Sequence, residues 1–102
     1  MHKRKHFDPT EPPSRWLNCP RKANALLVDK FLAFKVPLNS KFDNNVSIEY
    51  RWNLTMLFDA VRRNNLGKIG LIIDLTNTDR FYDSENEVKK FGIRYYKLSC
   101  RG

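Results

Sequence analysis

"KIGLIIDLTNTDRFYD", residues 68–83, changes character halfway along. Ile69 to Ile73 is apolar around a single glycine, which is the composition of a strand covered on both faces. Asp74 follows at once, then Thr76, Asn77, Thr78, Asp79 and Arg80, with Leu75 the one apolar residue among them. An aspartate at the end of the most hydrophobic strand needs a physical reason, and two are open. Asp after a strand commonly accepts backbone N–H groups from the loop it begins. Ligands of open α/β sheets also bind beyond the carboxyl ends of the strands, where this side chain would point.

Working outward, Leu54 to Asn64 carries apolar residues at 54, 57, 58 and 61, the spacing of an amphipathic helix. Asn53 is its expected N-cap, Arg62 and Arg63 suit its carboxyl end, and Gly67 is the expected stop. The apolar strand is expected over 69–75, a short helix over 85–91 ended by Gly92, and a further strand over 93–100. Residues 26–38, "LLVDKFLAFKVPL", read as one or two deeply placed strands ending at Pro37. Trp16 reads as a core anchor. Strand and helix alternate, so the fold class is α/β with a mostly parallel sheet. One good helix and one short one are few for strands this apolar, so their cover is expected from beyond these residues.

A chain of 102 residues supports at most one domain. Its 41% hydrophobic and 13% aromatic content is enough for a core. Nineteen Lys and Arg against eleven Asp and Glu leave a formal charge of +8, which favours a polyanion: nucleic acid first, an acidic membrane surface second. No apolar run approaches the ~20 residues of a membrane span, and without a signal segment Cys19 and Cys100 are expected as free thiols. No Cys or His spacing suits zinc, so neither a metal nor another cofactor is expected. Residues 1–14 read as a flexible, basic, proline-rich arm. Its Lys3-Arg4-Lys5 triplet is open to reading as a nuclear-import signal or as a solvated terminus.

Arg80 has the planar fork that clamps phosphate, or it is a surface ion-pair partner for Asp79, Asp83 or Glu85. Phe81 and Tyr82 read as packing residues. No nucleophile arrangement appears: six residues after Cys19 stands Ala25, and only two residues follow Cys100. A phosphate-cradling glycine loop is also lacking.

The blocks "RWLNCPRK", "FLAFKVPL", "GLIIDLTNTDRFYD" and "GIRYYKLSCRG", in that order, resemble the amino-terminal half of the RNA 5′-triphosphatase domain of metazoan mRNA-capping enzymes. "RWLNCPR" favours these over the related stand-alone RNA phosphatases. The resemblance implies a dual-specificity phosphatase-like cysteine-phosphatase fold, here incomplete, over residues 15–102. It implies removal of the γ-phosphate from nascent RNA in the nucleus through a cysteinyl-phosphate, without a metal, near the RNA polymerase II machinery. On the family motif Asp74 matches a candidate general acid. Arg80 and Lys35 match basic residues that hold triphosphate, Asn77 and Thr78 orient the loop, and Tyr82 walls the pocket. Lys35 reads equally as an exposed strand position. The family's His-Cys-x5-Arg signature falls beyond Gly102, so residues 1–102 alone are expected to be inactive. A non-catalytic basic module binding RNA or protein remains the rival, as does a phosphatase acting on phosphotyrosine or diphosphate RNA ends.

Overall fold

The structure is a computed structural model that describes residues 8–100; His2, Lys3, Arg4, Lys5 and His6 lie outside them. Residues 8–14 fall in the expected arm, yet they are fastened to the body. Asn45 Nδ2 donates to the Thr10 carbonyl at 2.9 Å, and Arg80 Nη1 donates to Pro9 O at 2.8 Å and Glu11 O at 3.1 Å.

Helix α1 spans Leu54–Arg63. Asn53 starts it as expected, its side-chain oxygen accepting the Met56 N–H at 2.9 Å. Leu54, Leu57, Ala60 and Val61 form the buried face, and Phe58 lies edge-on to Phe91 at 6.4 Å. The helix stops before Gly67. Asn65 takes the left-handed conformation, φ 52, while its N–H bonds Arg62 O at 3.3 Å and the Leu66 N–H bonds Val61 O at 3.1 Å. That pair of bonds is a Schellman ending with asparagine in the place glycine usually holds. Gly67, φ 94, then makes the turn toward the sheet.

Strand β1 is Leu71–Asp74 and strand β2 is Arg94–Lys97, paired in parallel with Leu71 opposite Arg94 and Asp74 opposite Lys97. The crossover between them holds helix α2, Ser84–Glu87, capped by Asp83. The helix expected over 85–91 breaks at Val88, which is wholly buried, and resumes as a tight turn over Lys89–Phe91 that Gly92 closes at φ 78.

The strand expected over 26–38 does not form. Val28 and Asp29 sit at φ 47 and 58, folding the chain back so that Leu27 and Phe31 pair across a tight turn. Leu27 and Phe31 are 71% and 57% exposed, so this tip is not deeply placed. Only isolated bridging survives, with Lys22 beside Phe34. Apolar composition gave these residues the look of a strand, but a left-handed pair cannot continue a ladder. Farther on the chain is held by two indoles: Trp16 Nε1 donates to Val36 O at 2.7 Å and Trp52 Nε1 to Lys35 O at 3.0 Å.

Both tryptophans, Phe42, Leu57, Ile72, Phe81 and Val88 belong to one core packed on a single face of the sheet. The other face is open, with Leu71, Ile73, Leu75, Tyr96 and Leu98 all 46% to 60% exposed. Cover on both faces is therefore not supplied among the described residues. The architecture is a small α/β fold with a two-stranded parallel sheet and few helices.

Candidate functional site

Asp74 ends β1 on the face it shares with buried Ile72, since side chains of a strand alternate, and it is 6% exposed. Its Oδ1 accepts the Thr76 N–H at 2.8 Å and the Thr76 hydroxyl at 2.6 Å, which bends the chain into the loop. Its Oδ2 accepts the hydroxyls of Tyr82 and Tyr95, each at 2.6 Å, and Lys97 Nζ stands 3.5 Å away. Burial pushes this carboxyl up, but the donations from Thr76, Tyr82 and Tyr95 outweigh it and leave the group at about 2. Asp74 is therefore an anion at neutral pH, with every donor aimed at the charged form. Both tyrosines answer in the opposite sense. Burial and then the adjacent carboxylate push Tyr82 up, and the same influences carry Tyr95 to about 12.

Lys97 secures the loop from the neighbouring strand. Its ammonium donates to Thr78 O at 2.8 Å and Thr76 Oγ1 at 3.1 Å, and lies 3.5 Å from Asp79. The Thr78 hydroxyl accepts the Arg80 N–H at 3.2 Å. The loop from Asp74 to Arg80 is thus held at both ends and from below, beyond the carboxyl ends of parallel strands. A cleft of about 310 Å³ adjoins it, lined by Phe34, Val36, Ile73, Asp74, Thr76 and Tyr82 among others.

The expected site residues divide into groups. Asp74, Thr78 and Tyr82 come together in one hydrogen-bonded cluster. Asn77 is exposed at the loop tip. The Arg80 guanidinium turns away toward the carbonyls of Pro9 and Glu11 and lies 4.6 Å over the Phe81 ring. Lys35 is elsewhere: its ammonium donates to Trp16 O at 3.0 Å and Cys19 O at 3.1 Å, and sits over the Trp16 ring. Tyr95 and Lys97 were not singled out from sequence. The signal was the alternation of "RYYK" against "LIID", which in parallel register puts 95 and 97 on the Asp74 face. Cys19 and Cys100 are exposed free thiols, and no three His, Cys, Asp or Glu side chains gather as a metal site among the described residues.

No protein-family model matches the chain. It is 42% identical over 90 residues to the mRNA-capping enzyme of Mus musculus, covering 88% of this chain and 15% of that protein. The mRNA-capping enzyme of Danio rerio is 43% identical over 93 residues, 91% of this chain and 15% of its own length. An RNA/RNP complex-1-interacting phosphatase homolog of Caenorhabditis elegans is 36% identical over 92 residues, 88% of this chain and 39% of its own. The chain thus spans about 15% of the capping enzymes it matches. The resemblance drawn from the motifs holds across nearly the whole sequence.

Proposed function

We propose that this chain, related over 88% to 91% of its length to mRNA-capping enzymes, is the amino-terminal part of their RNA 5′-triphosphatase domain. Residues 15–102 carry that part of a dual-specificity phosphatase-like fold behind the amino-terminal arm. The natural protein removes the γ-phosphate from nascent RNA in the nucleus, alongside the RNA polymerase II machinery. A cysteine thiolate attacks the γ-phosphorus, the diphosphate RNA end departs, and water then releases orthophosphate from the cysteine. Neither Cys19 nor Cys100 is followed within residues 1–102 by the arginine of a His-Cys-x5-Arg signature, so we assign neither the thiolate nor its phosphate-binding arginine to them.

The observation that carries this reading is the Asp74–Arg80 loop beyond the carboxyl ends of parallel strands, in a chain this similar to capping enzymes. Within it we give Asp74 a geometric duty, because a carboxylate held at about 2 has no proton to donate near neutrality. A diphosphate end is a weak base and leaves without much help from an acid. Tyr82 and Thr78 keep the loop in shape, Asn77 offers its free amide at the tip, and Lys35 adds positive field. Arg80 reaches a triphosphate by exchanging the carbonyls of Pro9 and Glu11 for phosphoryl oxygens.

The test is a ranking of substrates by the natural gene product: RNA with tri-, di- or monophosphate ends, and a phosphotyrosine peptide. Triphosphate ends should be cleaved fastest. Preference for diphosphate ends or the peptide overturns the reading in favour of a stand-alone phosphatase.

A further inference from the structure

Away from the Asp74 loop, residues 21–23 run antiparallel to 33–35, with Ala23 N–H on Ala33 O at 2.8 Å and Lys35 N–H on Arg21 O at 3.0 Å. This sets Arg21 across from Lys35, and like charges directly opposite are unfavourable in a ladder. Burial, and then the Arg21 charge, push the Lys35 ammonium down. Lys22, next to Arg21, pairs with Phe34 in the ladder, and Arg63 comes from the end of α1 to line a cleft of about 320 Å³ with Arg21 and Lys22. The charges meet carbonyls in place of acids. Arg21 donates to Glu49 O and Arg51 O, Lys22 to Ala23 O, Lys35 to Trp16 O and Cys19 O, and Arg63 to Asp59 O. Among the described residues none of the four has a carboxylate within ion-pairing distance, and the acid that lines the cleft, Asp59, is held by Arg62 at 2.8 Å. Between the two carbonyls that Arg21 grips stands Tyr50, a 52% exposed aromatic.

We infer that this cleft and the adjoining turn over Ile48–Tyr50, whose flanking carbonyls Arg21 holds, form a second RNA-binding surface: Arg21, Lys22 and Arg63 hold phosphates of the single-stranded RNA chain while Tyr50 stacks on a base. Uncompensated cations beside an exposed ring are the combination that grips single strands without reading sequence. An anion relieves the Arg21–Lys35 repulsion, which gives binding a source of energy beyond net charge. The surface goes beyond the proposed hydrolysis, because it takes the body of the RNA and not its 5′ end.

The experiment uses the full chain and fluorescent single-stranded RNA with a 5′-hydroxyl, so the outcome is independent of any triphosphate reading. Arg21→Glu, Lys22→Glu and Arg63→Glu together should weaken binding roughly tenfold or more and flatten the log–log salt slope by about 2. Tyr50→Ala should weaken it roughly fivefold with the slope unchanged, since stacking releases no counterions. Near-UV circular dichroism of Trp16 and Trp52 confirms that each variant is folded. A charge-matched triple, Lys41→Glu, Lys68→Glu and Lys90→Glu, should have a much smaller effect. Equal loss from that triple would reduce the attraction to net charge and overturn the proposal. Tighter binding of phosphatidylserine vesicles than of RNA at the same salt would overturn it as well.

Discussion

The Asp74 carboxylate is surrounded by donors from three directions: the loop it opens, the crossover through Tyr82, and the partner strand through Tyr95 and Lys97. Asp74→Asn removes the charge and turns one of the two accepting oxygens into an N–H₂ that faces buried donors, so it should cost roughly 2–4 kcal/mol by urea denaturation. The pH dependence has two arms. Asp74 falls from 3.8 to about 2 on folding, so its stabilisation, on the order of 2 kcal/mol, is complete above pH 4 and disappears as pH falls toward 2. Tyr95 rises from 10.0 to about 12, so its share is complete below pH 10 and is lost as pH climbs toward 12. Carbon-13 NMR of the Asp74 carboxyl should show no titration between pH 8 and pH 4, roughly the span over which a group held near 2 stays ionised. A midpoint near neutrality would return the residue to the role of general acid.

At the scale of elements, helix α1 was legible because four apolar positions and one cap agree, and local signals suffice for a helix. Asn53→Ala should therefore cost about 1 kcal/mol in thermal melts. Asn65→Gly should instead stabilise the chain by roughly 0.5–1 kcal/mol, as it relieves a left-handed residue. That ending was not legible, because asparagine at the stop looks like any polar helix residue while Gly67 draws the eye. The parallel pair was read from an apolar run and an alternating one, but their register was not, and register is what brings Tyr95 and Lys97 to Asp74. Residues 26–38 misled for the opposite reason: their apolar content reports affinity for burial, and the backbone reversal at Val28 and Asp29 leaves no trace in composition. Asp74 itself carried both of its readings in the sequence. Only the side-chain geometry, with Thr76 on one oxygen and two tyrosines on the other, favours its role as acceptor for the loop it begins.

For the whole molecule, the decisive feature is a sheet packed on one side, with Leu71, Ile73, Leu75, Tyr96 and Leu98 open on the other. An apolar face of this kind seeks cover, so the isolated chain should associate with rising concentration in sedimentation velocity. Ile73→Lys, at a position 49% exposed, should shift that association toward monomer without changing the helical circular dichroism. A chain that stays monomeric and melts in one cooperative step would contradict this. The same open face adjoins the loop that Asp74 shapes, and in the natural protein we expect the rest of a phosphatase site to meet that loop. The most direct measurement is γ-phosphate release from 5′-triphosphorylated RNA by the natural gene product in excess EDTA. Release that proceeds undiminished, with residues 1–102 alone giving none, is the result we predict. Absence of release, or release that appears only when a divalent metal is restored, would contradict it.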